Sequence, residues 1–320
     1  MTTDAHRSRP LRFGLHTAVP RGTEFGTFAM SVQDAGFDVL TIPDHLVASV
    51  SPFAGATAAA AATDRLHIGT LVLNNDLRHP VDTAREAATV AAISGGRFEL
   101  GLGAGHMKSE YDAAGLRFDS GGTRVDRLIE AVDVILPLLA GEPVGVDGAH
   151  YRVHADAGEL VAAPGVPVPL LIGGNGTRVL QLAGRVADIA GLAGFSHNSD
   201  ATKVELTHFD AAGLDNRIAV VRAAAGDRFD TVELNALIQF VVHTDDPESS
   251  AAELAAAFGG ISPQFVMDSP FVLLGTHEQM AQTLVERQQR FGVSYWTVFD
   301  EWIGRESAMP DIAKVIAFLR

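Results

Sequence analysis

Cysteine is absent from the 320 residues. That excludes disulfides, thiolate metal sites and cysteine nucleophiles together. Lysine is scarce, with only Lys108, Lys203 and Lys314, and the rest of the basic residues are arginines. Acidic residues outnumber basic ones, giving a formal net charge of −15. Phosphate backbones would be repelled, so no nucleic-acid partner is expected. No apolar run reaches the roughly 18 residues of a membrane span, and Ala54–Ala62 is short and weakly apolar. The opening MTTDAHRSRP is polar and lacks the apolar core of a signal peptide. A cytoplasmic protein without a membrane partner is the expectation. The G-x-S-x-G of a serine nucleophile is also missing.

What is present is an alternation of short apolar runs and helical patterns along the whole chain. Candidate strands are Leu11–His16, Asp38–Ile42, Leu66–Leu73, Arg97–Leu102, Val168–Ile172, Ala187–Ala190, Val232–Val242 and Ser294–Phe299. Candidate helices are Glu24–Ala35, Pro52–Ala62, Val81–Ala92, Gly122–Leu139, Thr177–Arg185, Asp210–Ala225, His277–Arg290 and Asp311–Leu319. Alternating β and α elements imply a parallel sheet covered by helices. Eight of each match a (β/α)8 TIM barrel, read as one domain over residues 1–320. A doubly wound open sheet is the alternative, but its glycine loop normally follows the first strand and not the fourth. The spacing widens at Gly141–Pro167, which holds a small β excursion near His150–Val153, at Leu192–Thr207 and at Phe258–Leu274. In a barrel these are insertion loops, expected over the carboxyl-end face, where active sites lie.

Three segments fall at the carboxyl ends of predicted strands. Asp44-His45 follows the second, where Asp44 either caps a turn or offers a carboxylate to a ligand, beside an imidazole that moves protons near neutral pH. Gly103-Ala104-Gly105-His106 follows the fourth, close to Asn74 at the end of the third. It is not a dinucleotide fingerprint, because His106 or Lys108 stands where G-x-G-x-x-G needs glycine. It does let a flat ring approach the backbone. Gly174-Asn175-Gly176-Thr177 opens a helix after the fifth strand, where free N–H groups make a phosphate site or glycine simply eases a turn. His150 and His154 stand four apart with no third ligand nearby, so no metal is expected. Trp296 on the last strand fits either barrel core or pocket wall.

The run RHPVDTAREAATVAAISGGRFELGLGAG resembles the signature of the luciferase-like monooxygenase superfamily. The likeness continues through Phe118–Ile129 (FDSGGTRVDRLI), Gly148–Val153 (GAHYRV) and Leu170–Arg185 (LLIGGNGTRVLQLAGR). The resemblance implies a TIM barrel, usually a homodimer, binding FMN or the deazaflavin coenzyme F420. It implies that Asp44 lies near the cofactor ring, and that Leu71–Val72 is a strand-three bulge where relatives carry a non-prolyl cis peptide. It further implies that Asn74 and Gly103, Ala104 and Gly105 line the ring, and that Gly174, Asn175, Gly176 and Thr177 bind its phosphate. His45 and His106 become the candidates for proton transfer, with His16 and Trp296 as pocket walls. His106 stands where similar deazaflavin sugar-phosphate dehydrogenases carry a Glu, which counts against sugar-phosphate oxidation.

The resulting expectation is hydride transfer between coenzyme F420 and a small organic substrate. One alternative is an FMN-dependent monooxygenase partnered by a flavin reductase, and another is a non-catalytic flavin-binding barrel. Phe195, Phe265 and Phe271 in the insertions hint at an uncharged, partly apolar substrate.

Overall fold

The computed structural model describes residues 4–197, 204–206, 208–300 and 306–320. Its centre is a ring of parallel strands: β1 (Arg12–His16), β2 (Val39–Ile42), β3 (His67–Thr70), β4 (Phe98–Gly103), β5 (Leu170–Gly173), β6 (Ile189–Ala193), β7 (Glu233–Ile238) and β8 (Tyr295–Phe299). Each pairs with the next, β8 pairs with β1, and β3 pairs with β4, so the ring closes as a (β/α)8 barrel. The open-sheet alternative is thereby overturned. Around it run α1 (Phe25–Asp34), α2 (Pro52–Ala62), α3 (Pro80–Ser94), α4 (Gly121–Ala140), α5 (Thr177–Val186), α6 (Ala211–Ala225), α7 (His277–Phe291) and α8 (Met309–Leu319). Their ends follow local chemistry. Pro80 opens α3 behind a His79 cap and Gly95 closes it in the left-handed region. The Thr276 and Gln279 side chains close a capping box on α7. No helix among the described residues is long and apolar enough to cross a membrane.

Alternation along each strand separates two cores. Phe13, Leu15, Trp296 and Val298 face the helices and join the large apolar core. Val39, Leu171, Ile189 and Tyr295 form a separate small cluster inside the ring, with Leu71 and Val72 against it.

Two predicted strands are broken. Leu66–Leu73 divides into β3 and a short strand Leu73–Asn74 around a cis Leu71–Val72 peptide. Beside the break, the Thr70 hydroxyl donates to the Gly101 carbonyl at 2.9 Å and accepts its N–H at 2.8 Å, which preserves the lateral bonding. Val232–Val242 divides after Ile238, because Phe240–His243 leaves the barrel to pair in parallel with Val272–Gly275. That excursion also contains helices Pro247–Ala257 and Pro263–Met267, which the periodicity had not marked. The excursion near His150 is an antiparallel hairpin, Val144–Asp147 with Arg152–Ala155. Residues 198–203 and 207 of the Leu192–Thr207 insertion lie outside the described residues.

The amino end of the barrel holds a charge cluster. Arg12 pairs with Glu99 and, at 2.6 Å, with Glu233, while its guanidinium lies over the Tyr295 ring. Ser294 donates to Glu233 at 3.1 Å. Burial alone would raise the Glu99 carboxyl, but Arg12 and His67 outweigh it and hold Glu99 below the ordinary carboxylate range. Arg12→Met leaves two carboxylates nearly buried without their cation. With Arg12 itself partly open to water, the expected loss is about 2–4 kcal/mol, read as a lower denaturation midpoint. Adding Glu99→Gln to that variant should recover part of the loss, and an unchanged midpoint in Arg12→Met would contradict the role given to the cluster.

Candidate active site

The residues expected to carry chemistry meet at the carboxyl end of the ring. Asp44 follows β2, and its nearly buried carboxylate is a structural anchor. Arg78 donates to both oxygens, with Nη2 at 3.1 Å from Oδ1, and the Asn74 N–H donates to Oδ2 at 3.0 Å. Asp44 therefore clamps the segment after the Leu71–Val72 bulge to the loop after β2. Arg78 had not been singled out from the sequence, although it opens the RHP motif.

His45 is held by a residue the sequence reading passed over. Glu110 lies in the helix Lys108–Ala114, four positions beyond His106, and is 5% exposed. One carboxylate oxygen lies 2.7 Å from His45 Nδ1, and the other accepts the Leu46 N–H at 3.1 Å. An ionised carboxylate on Nδ1 places the proton there and leaves the lone pair on Nε2. The exposed His106 ring packs edge-on against His45, with centroids 5.7 Å apart and planes at 81°. His16 ends β1 with its Nδ1 2.9 Å from Thr41 Oγ1 and its ring edge-on to Phe299. Burial, with the charge of His45 second, pushes the His16 pKa down to about 3.

Glycines shape the floor. Gly105 has φ +74°, and a Cβ there would strike the Tyr111 hydroxyl and Asn74 Oδ1. Those two groups lie 3.0 Å apart in a hydrogen bond, and Asn74 Oδ1 also accepts the Asp76 N–H at 3.1 Å. Tyr111 is another residue not anticipated, and burial followed by the Asp76 charge raises its hydroxyl pKa. A Cβ on Gly103 or Gly173 would run into Val72, in the latter case 2.8 Å from Cγ1. Ala104, between the two loop glycines, rests against the main core.

After β5, the Gly174 N–H donates to the Gly191 carbonyl at 3.2 Å. Gly176 caps α5 without any side-chain acceptor, and a side chain there would meet open space. The first-turn N–H groups of α5, beginning with Thr177, thus lack a side-chain cap, and an anion fits them. Asn175 serves differently. Its amide donates to the Phe195 carbonyl, and its oxygen accepts from Arg217, a buried guanidinium that also donates to the carbonyls of Ala193, His208 and Gly213. Asn175 therefore fastens the loop after β6 with its side chain.

Two expectations are corrected. Trp296 is fully buried on the helix-facing side of β8, in the main core, so it is not a pocket wall. Phe271 is fully buried, and Phe195, Phe265 and Phe271 each pack on Phe209, so these rings hold the insertions together and carry no message about a substrate.

The sequence profile of luciferase-like monooxygenases matches residues 10–294. A protein of Beutenbergia cavernae named F420-dependent glucose-6-phosphate dehydrogenase is 37% identical over 171 residues, covering 50% of this chain and 49% of its own. The 5,10-methylenetetrahydromethanopterin reductase of Methanolobus tindarius is 30% identical over 251 residues, covering 78% and 69% respectively. The chain spans about half the length of the first of these. A solved F420-dependent secondary alcohol dehydrogenase, in complex with an F420-acetone adduct, superposes with TM-score 0.75 over 98% of this chain and 100% of its own. At 21% identity it attests the fold alone.

The His16 environment has a pH consequence. Its folded pKa of about 3 lies below the ordinary 6.5, so between those values the unfolded chain binds a proton that the native one refuses. This contribution is constant above about pH 6.5 and costs stability as pH falls through the window, with a limiting slope of about 1.4 kcal/mol per pH unit. Denaturation of His16→Gln between pH 6 and 4 should show a slope shallower by about one proton. Parallel wild-type and variant profiles would refute the shift.

Proposed function

Because this chain belongs to the luciferase-like monooxygenase family, we propose that it is an oxidoreductase moving a hydride between coenzyme F420 and a small organic substrate. The observation that carries the reading is the His45–Glu110 pair at the same end of the barrel as the glycine-bearing strand ends of β4 and β5 and the uncapped N-terminus of α5. Relatives named for F420-dependent activity support the choice of cofactor. The residues fit such a group: Gly176 faces open space and the first turn of α5 lacks a side-chain cap, where a phosphate would sit, while Gly103, Gly105 and Gly173 let Val72, Asn74 and Tyr111 close up into a compact floor on which a ring would lie. Leu71, Val72 and Asn74 would back the ring, and the Gly174–Thr177 turn would hold the phosphate through backbone N–H groups. Bound there, the deazaflavin supplies a two-electron acceptor at its C5.

The chain's own part is positioning and proton transfer. With Nδ1–H donated to Glu110, His45 Nε2 takes the hydroxyl proton of an alcohol as the hydride leaves its carbon, which gives a carbonyl product. In the reverse direction the same nitrogen returns that proton. Glu110 steadies the imidazolium formed in between, and the exposed His106 beside it passes the proton to solvent. His16 stays neutral at the ring mouth and adds no charge to compete with that imidazolium. The homodimeric state belongs to this proposal through the family resemblance, and a cytoplasmic setting is part of the same proposal.

Anaerobic bleaching of oxidised F420 with a panel of small alcohols tests the activity. Wild type should bleach it, His45→Asn should lose about 10²–10⁴-fold in kcat, and Glu110→Gln about 10-fold, with F420 affinity within a few-fold of wild type in both. Unchanged turnover in His45→Asn removes the proton-transfer role, and oxygen consumption with reduced FMN in place of bleaching removes the deazaflavin reading.

A further inference from the structure

Apart from the barrel mouth, three ligating side chains from three separate segments meet. His243 ends the strand Phe240–His243, His277 is the first residue of α7, and Asp311 lies in the first turn of α8. The two imidazoles stack with centroids 3.9 Å apart and planes 11° from parallel. His277 Nε2 is 2.9 Å from Asp311 Oδ1. One donor atom from each residue lies within 4.8 Å of the other two, and among the described residues no other His, Asp or Glu trio converges so closely.

Packing does not require this arrangement, because the His243 ring is exposed. A carboxylate at the same spot adds negative charge, in a protein of net charge −15. It also offsets the partial positive charge of the two helix N-termini. Two imidazoles and one carboxylate suit a borderline ion such as zinc, whereas magnesium and calcium favour all-oxygen sites.

We propose that His243, His277 and Asp311 bind a divalent transition metal of the zinc type, with a fourth position open to water. Tetrahedral bonds of about 2.0–2.2 Å bring donors to about 3.3–3.5 Å from one another. Small side-chain rotations bring the donors, now up to 4.8 Å apart, to that range, the His277–Asp311 pair widening slightly from 2.9 Å. The bound ion ties the excursion after β7 to the helices on either side of β8. It uses no residue of the barrel-mouth site, so its test is separate from that of the proposed activity.

The experiment is calorimetric titration of tag-free, chelator-stripped protein with Zn²⁺, with Mg²⁺ as control. One Zn²⁺ should bind per chain with a Kd of about 10 μM or lower, and saturating metal should raise the unfolding midpoint by a few degrees, reversibly with chelator. His243→Ala, which removes an exposed ring, and Asp311→Asn should each weaken binding about tenfold or more. Co²⁺ should give the visible absorption of a tetrahedral site in wild type and lose it in His243→Ala. An identical Zn²⁺ isotherm in wild type and His243→Ala, or no saturable binding in wild type, overturns the proposal.

Discussion

The barrel mouth depends on a steric constraint around Val72. Its side chain occupies the space that a Cβ on Gly103 or Gly173 would need, and β4 and β5 can carry only glycine there. The bulge bearing Val72 is in turn fixed by Asp44, which grips the Asn74 N–H and the Arg78 guanidinium. Asn74 passes the constraint on to Tyr111 and so to the helix that carries Glu110. Glu110 sets His45. Bulge, glycine loop and histidine are thus one connected assembly, in which each contact presents the next group at a fixed place.

Charge is divided between the two ends of the ring. Arg12 and its two glutamates close the amino end with strong, mutually compensated charges. At the carboxyl end, His16 is kept neutral by burial while His45 is paired with a carboxylate. This division leaves one carboxylate-paired imidazole at the mouth. It also separates parts of the molecule that serve stability from those that serve chemistry, a general trait of barrels with this topology.

The barrel was legible because its strands are apolar runs spaced by helical periodicities, and both signals are local. The two broken strands were not, because the breaks at Leu71–Val72 and Gln239 reflect where the chain must go and not what it is made of. The family resemblance, and not periodicity, marked the bulge. Asp44, His45, the Gly103–His106 loop and the Gly174–Thr177 turn stood out because they punctuate strand ends. Glu110, Arg78, Tyr111 and Arg217 did not, since their partners are distant in sequence and their types are ordinary on helices and loops. Trp296 was ambiguous between two faces of one strand, and only the pairing with β1 and β7 decided which face it takes. The trio His243, His277 and Asp311 spans too much of the chain for any local spacing rule to find.

The central claim is that the uncapped α5 turn and the glycine floor are built for a deazaflavin. Equilibrium binding of oxidised F420 and of FMN to the purified protein, followed by tryptophan fluorescence quenching, tests it directly. The account predicts that F420 binds at least about tenfold tighter, a difference of about 1.4 kcal/mol. Equal affinities, or a preference for FMN, would contradict it.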